Sequence, residues 1–327
     1  MKMKQLNQYK MQAMKKYLKR SSLLLTSALS LLLTQVHAQF EPQFTQYMFN
    51  EMFINPAYAG SRDNIAVTAD YRNQWVGLEG APLTQTLSAH APLKNKKIGL
   101  GLSILNESIG VTHDMALFTN YAYRVPVRND AVLSLGLQGG LISHQEKLLD
   151  IRTQDQGDAS FVSNTPKLLL PNAGFGAYYF SKKYYVGLSI PRLLENKIAL
   201  SPTTKVSNEI HMSYWHYYLM GGYVYDLSEE VKIKPTFMLK AVSGAPLEAD
   251  LGVHALIKET LWFGVSYRTK DSWAAVAQFQ INRQLRIGYS YDYTITELRQ
   301  YNSGTHEITL GYDFSFDKNK IITPRYF

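Results

Sequence analysis

A period of two runs through most of this chain. The stretch LRIGYSYDYT sets Leu285, Ile287, Tyr289, Tyr291 and Tyr293 against Arg286, Gly288, Ser290 and Asp292. Successive side chains leave a β-strand on opposite sides, so such alternation marks a strand with two unlike faces. The same grammar, apolar–Gly–apolar–small or polar, returns in IGLGLSI from Ile98, LSLGLQGGL from Leu133, YYVGLSI from Tyr184, LWFGVSYR from Leu261 and EITLGYDFSF from Glu307. No unit of fixed length recurs, which argues against a solenoid.

Turn-forming clusters separate the strands: KNKK at Lys94, PVRND at Pro126, SKK at Ser181, DLSEE at Asp226 and INRQ at Ile281. Two connections are longer, about Lys147 to Leu170 and Arg192 to Asn208. The pattern predicts strands over Asn64–Arg72, Thr84–Ala91, Lys97–Leu105, Met115–Arg124, Ala131–Glu146, Pro171–Phe180 and Tyr184–Ile190. It continues over His211–Tyr225, Val231–Ala241, Leu247–Ile257, Leu261–Arg268, Trp273–Gln280, Leu285–Tyr293 and His306–Phe314. That is about 14 strands, the even number an up-and-down barrel needs.

Charge and aromatic placement decide which face looks inward. The polar faces carry Arg268, Arg286, Asp292, Glu307 and Asp313 besides their glycines and serines. The apolar faces are continuous and bear tyrosines toward strand ends, where an interfacial girdle belongs. The expected fold is all-β, a transmembrane antiparallel up-and-down β-barrel with its apolar face toward lipid. A soluble extracellular β-sandwich is the competing fold. On this reading arginine at Leu310 is costly, and arginine at Thr309 is tolerated if the lumen is wet.

The first residues fit export. Residues 1–20 hold seven basic side chains and no acid, Leu23–Leu33 is apolar, and VHA at Val36–Ala38 resembles a small-residue cleavage site. This is the layout of a secretory signal peptide, with cleavage expected between Ala38 and Gln39. The apolar run is too short to span a bilayer. Met14 would give the signal a more ordinary start than Met1. Without residues 1–38, the 34 Lys and Arg fall to 27 against 26 Asp and Glu. No basic patch remains to suggest nucleic acid. The absence of cysteine excludes disulfides and thiolate metal sites. Mean hydropathy is −0.20. The organisation expected is a signal peptide over 1–38, a lead-in or plug-like segment over 39–63, and a barrel over 64–327.

Catalytic groups do not converge. The histidines are scattered, and His211 and His216, five apart on an expected strand, would face opposite sides. Asp150, Asp155 and Asp158 near Gly157 lack the spacing of a calcium loop. No nucleophile elbow is present. No enzyme activity, cofactor or metal is expected.

The words after the leader are distinctive: QFTQYMFNEMFINPAYAGS from Gln43, then YRNQWVGLEGAPLTQTLS from Tyr71. They resemble the PorP/SprF family of outer-membrane proteins in the type IX secretion system of Bacteroidetes. The matching positions are Gln43, Phe44, Gln46, Tyr47, Asn55, Pro56, Ala57, Tyr58, Ala59, Gly60, Arg72, Gln74, Trp75, Gly80, Ala81, Pro82 and Thr84. IGLGLSI, VGLSIPRLL and the closing PRYF also look like that family, and Tyr326 and Phe327 resemble a terminal assembly signal. The resemblance implies a non-enzymatic component supporting secretion or surface attachment of clients such as gliding adhesins. It implies secretion machinery, including periplasmic components, and a client's C-terminal domain as partners, with outer-membrane lipid around the barrel. The motif positions are then candidates for partner contact. A passive channel for a small solute is the rival function.

Read physically, Pro56 biases Asn55 toward extended backbone, and Gly60 permits a turn before the first strand. Residues 43–61 are therefore expected to be ordered but not a strand. Close backbone approach by this segment would account for the inward glycines Gly99, Gly101, Gly136, Gly140, Gly187, Gly264, Gly288 and Gly311.

Overall fold

The computed structural model describes residues 41–127, 130–151, 163–199 and 205–314. The expected signal peptide, the acidic stretch from Asp155 to Asp158 and the terminal Tyr326 and Phe327 lie outside them.

The strands are β1 (Ile65–Asn73), β2 (Leu83–Pro92), β3 (Ile98–Ile109), β4 (Thr112–Pro126), β5 (Val132–Glu146), β6 (Leu168–Phe180) and β7 (Tyr184–Ile190). Next come β8 (Leu194–Ala199), β9 (Lys205–Ile210), β10 (Tyr217–Tyr223), β11 (Tyr225–Asp226) and β12 (Val231–Ala241). The last are β13 (Glu248–Ile257), β14 (Leu261–Arg268), β15 (Ser272–Gln280), β16 (Leu285–Thr294) and β17 (Thr305–Phe314). Sequence neighbours pair antiparallel from β1 to β7, then β7 with β10, β10 with β12, and onward to β17. β17 pairs back onto β1, from Ile65 opposite Phe314 to Asn73 opposite His306. The result is a closed 14-stranded barrel. β11 continues β10 beyond Val224, and the hairpin β8–β9 stands outside the ring.

Burial follows the period of two. In β16 the even residues Arg286, Gly288, Ser290 and Asp292 are buried, while Ile287, Tyr289 and Tyr293 are exposed. Leu135, Leu137, Leu188, Val253, Val265, Ile308 and Leu310 also lie on the exposed outer face. Rings collect at both rims of that face. One rim carries Tyr123, Tyr223, Tyr312 and Phe314; the other carries Tyr71, Tyr217, Trp273 and Tyr293. An aliphatic band between aromatic girdles is the outer face a bilayer requires.

Three expectations need correction. His211–Tyr225 is not one strand. β9 ends at Ile210, a 3-10 turn covers Met212–Tyr214, and β10 starts at Tyr217, so neither His211 nor His216 is on a strand. The aromatic density of that stretch imitates alternation, but Tyr214 N donates to His211 O at 3.0 Å and closes a turn. The Arg192–Asn208 connection contains most of the β8–β9 hairpin, whose period is hidden where Asn196 and Asn208 interrupt its apolar face. Finally, β3, β4 and β6 outrun their expected limits. Gln85 and Asn106, hydrogen-bonded at 3.2 Å on the exposed side, replace apolar residues there. Strand beyond the apolar band has no lipid to face and loses the alternation.

Candidate functional site

The lumen is occupied by the chain's own lead-in. Residues 41–63 lie inside the ring as three short 3-10 turns, Tyr47–Phe49, Glu51–Phe53 and Pro56–Tyr58. The local sequence explains their shape. Asn55 is extended ahead of Pro56, with φ −136° and ψ 110°, and its side-chain oxygen accepts from Ala57 N at 3.0 Å. Gly60 has φ +71°, a left-handed conformation open to glycine.

Each turn meets a different level of the wall. At one mouth Glu41 pairs with Arg192 at 3.2 Å, and Arg268 donates to Phe44 O at 3.2 Å. Just inside, Glu307 accepts the backbone N–H of Thr45 at 2.9 Å and of Gln46 at 2.8 Å. Arg72 bridges the Glu307 and Asp292 carboxylates at 2.8 and 2.9 Å, and Thr45 Oγ1 donates to Asp292 at 2.6 Å. Lower down, Asn50 donates to Asp70 and accepts from Ser88.

At mid-depth Glu51 is fully buried and faces Lys234 of β12 together with the hydroxyls of Tyr178 and Tyr185. The Lys234 ammonium lies 5.6 Å from the ring centroids of Phe49, Tyr185 and Trp262. Cations are held well in such ring cages. Below this, Asn55 donates to Ala177 O, Ser189 to Ile54 O and Ser134 to Ala57 O. At the opposite mouth Arg124 donates to Gly60 O, and Arg62 pairs with Asp313 at 2.9 Å.

The wall is shaped to this segment. A Cβ on Gly99 would fall 2.0 Å from Ala59 O, and one on Gly136 would fall 2.2 Å from Ala57 N. Gly176 and Gly187 give the same room to the Asn55 side chain. Gly264 and Gly311 instead lie against the inward side chains His254 and Arg286.

Most positions of the sequence motif converge here. Phe44, Gln46, Tyr47, Asn55, Pro56, Ala57, Tyr58, Ala59 and Gly60 are buried in the lumen, and Gln43 is partly exposed at the Arg268 mouth. Arg72, Gln74, Pro82 and Thr84 are also buried, while Trp75 is half-buried in the β1–β2 connection with φ +48°. Trp75 N donates to Thr305 Oγ1 at 3.1 Å, and Thr84 Oγ1 donates to Glu107 at 3.0 Å. Most of these residues pack against the inner wall of the barrel. Sequence reasoning missed Asn50, Glu51, Asp70 and Lys234, whose partners are distant in the chain. Asp70 and Lys234 had one signal, a charged residue at an inward strand position, and Asn50 and Glu51, in the lead-in, had none.

Among the described residues, Glu195, Glu209 and His211 bring ligand-type atoms together on the β8–β9 hairpin. Lys197 already sits there, 2.8 Å from Glu209 and 3.8 Å from Glu195. Its ammonium holds the Glu209 carboxyl below the usual range. The cluster is thus a salt-bridged surface, and no metal is assigned to it.

With this geometry in view, the sequence matches the family described as type IX secretion system membrane protein PorP/SprF over residues 36–312. The chain belongs to the PorP/SprF family. That match spans the lead-in and nearly all of the barrel, so this PorP/SprF protein is an outer-membrane β-barrel component of type IX secretion. No curated protein matches the sequence. Among solved structures it is similar to Omp33 of Acinetobacter baumannii, at TM-score 0.46 and 9% identity, covering 78% of this chain and 100% of that one. It is also similar to a Pseudomonas aeruginosa FadL homologue, at TM-score 0.45 and 12% identity, covering 84% and 95%. A third is the Ralstonia pickettii toluene transporter TbuX, at TM-score 0.48 and 9% identity, covering 81% and 93%. Such distant likenesses say nothing of what the PorP/SprF chain binds.

Proposed function

We propose that this PorP/SprF barrel is a non-enzymatic outer-membrane partner in type IX secretion, supporting the secretion or surface attachment of client proteins such as gliding adhesins. The observation that carries the reading is the occupied lumen. A wall hydrogen-bonded to residues 41–63 at every level suits a platform, whereas a conduit needs an open path. The partners in this reading are periplasmic components of the machinery and the C-terminal domain of a client, with lipid around the outer face. The motif residues, from Gln43 to Gly60 and from Arg72 to Thr84, act by shaping the sealed core that holds the partner-facing loops. Export begins with a signal peptide cleaved between Ala38 and Gln39, and Tyr326 and Phe327 act as the assembly signal. The expected organisation, with a lead-in over 39–63 and a barrel over 64–327, belongs to the same proposal.

Deleting the protein tests the role. Type IX clients should disappear from the cell surface and medium, and a tagged barrel should co-purify one of them with secretion machinery. Unchanged export of every client in the deletion strain would overturn the proposal. Removing Tyr326–Phe327 should lower the outer-membrane level of the barrel without affecting passage across the inner membrane. The rival, a passive channel for a small solute, calls for steady conductance in planar bilayers. The intact protein is expected to give none.

A further inference from the structure

We infer that the lead-in enters the barrel from the cell-surface mouth and runs down toward the periplasm, so that the chain seals its own lumen from outside. Two independent asymmetries carry this. The first is in the connections. At one mouth they are residues 93–97, 127–131, 181–183, 227–230, 258–260 and 281–284, all short in sequence. At the other mouth lie residues 110–111, 242–247 and 269–271 together with all four long connections, 74–82, 147–167, 191–216 and 295–304. Outer-membrane barrels place short turns in the periplasm and long loops outside. The long-loop mouth is therefore the surface mouth.

The second asymmetry is the order of contacts along the lead-in. Glu41 pairs with Arg192, in the connection that follows β7 at the long-loop mouth. Gln43 and Phe44 accept from Arg268, the last residue of β14 at that same mouth. Thr45 and Gln46 meet Glu307 near the start of β17. Asn55 meets mid-wall residues of β6 and β7. Gly60 meets Gly99, the second residue of β3, and Arg62 meets Asp313, one residue from the end of β17. Asp63 pairs with Lys96 in a tight turn. The described lead-in thus begins at the long-loop mouth and ends at the short-turn mouth.

A segment that merely preceded β1 could remain in the periplasm, where β1 begins. This one starts at the far mouth instead. Glu41, where the described lead-in begins, therefore stands at the surface mouth against Arg192, on the side an extracellular protein would meet.

The chain contains no cysteine, so single cysteines report topology cleanly. Glu41→Cys, Lys96→Cys and Tyr301→Cys would be treated on intact cells with a membrane-impermeant biotin maleimide. Tyr301 and Lys96 are both exposed, at opposite mouths. The expected result is labelling of Tyr301→Cys and Glu41→Cys on intact cells, and of Lys96→Cys only after the outer membrane is permeabilised. Labelling of Glu41→Cys only after permeabilisation, with Tyr301→Cys labelled on intact cells, would overturn the direction of threading. Labelling of Lys96→Cys but not Tyr301→Cys on intact cells would overturn the orientation. Should Glu41→Cys fold poorly or escape the reagent, a short epitope between Phe40 and Glu41 gives the answer. Antibody binding on intact cells supports the inference, and binding confined to permeabilised cells refutes it.

Discussion

Lys234 and Glu51 show what the filled lumen demands of single residues. Both are fully buried, one on the wall and one on the lead-in. Removing one of two opposite charges buried near each other costs up to about 3–5 kcal/mol, because the survivor keeps a charge it cannot hydrate. Lys234→Met should therefore lower stability by about that much, read as the urea unfolding midpoint of protein refolded into micelles. Adding Glu51→Gln should recover most of the loss, and strictly additive losses would mean the two are not coupled. The glycines make a second residue-scale case. Gly99→Ala drives a Cβ to 2.0 Å from Ala59 O, backbone against backbone, whereas nothing lies within 4 Å of one on Gly139. Gly99→Ala should cost about 1–3 kcal/mol in the same assay and expose the lead-in to protease. Gly139→Ala should stay within about 0.5 kcal/mol of the parent.

As an element, the lead-in behaves as a core that precedes its own barrel in the chain. Its described residues hold no strand or long helix, and the polar groups of Thr45, Asn50 and Asn55 pair with separate points of the wall. Deleting Gln43–Met52 should open the lumen, giving steady single-channel conductance where the intact barrel is expected to give none. Unchanged conductance in a correctly assembled deletion would mean that this half of the segment is not the seal. The difference between strands and lead-in also explains what could be read from sequence. Leu285–Thr294 declares itself, because a face against lipid and a face against protein impose strict alternation. Gln43–Ser61 follows no period, since each residue answers to a different strand. Asn55, Pro56 and Gly60 disclosed local backbone shape, but Asn50 gave no sign of Asp70 or Ser88. The β8–β9 hairpin was missed because its strands are short and Asn196 and Asn208 interrupt the face that carries Leu194, Ile198, Val206 and Ile210.

For the whole molecule, the outer band and the packed interior make opposite demands on neighbouring residues. Leu310 is exposed near the middle of β17, whereas Thr309 is buried and donates to Asp70 at 2.6 Å. Arginine at Leu310 should cost about 2–4 kcal/mol on refolding into lipid vesicles. The sequence alone allowed arginine at Thr309 if the lumen were wet. The packed lumen reverses that expectation, and Thr309→Arg should also impair refolding, even in detergent, where the lipid-facing penalty is absent. Unimpaired folding of Thr309→Arg in detergent would contradict a packed interior. The Arg72, Asp292 and Glu307 cluster lies across the seam where β17 returns to β1. Thr45 joins Glu307 there over a separation of 262 residues. Contacts between such distant parts of a chain are formed slowly, after the intervening loops have been closed. The lead-in is made before every strand of the barrel but completes its bonding only when the final strand arrives. Synthesis order and assembly order are thus inverted, and a chain stalled before β17 would carry its lead-in without the carboxylate that anchors it.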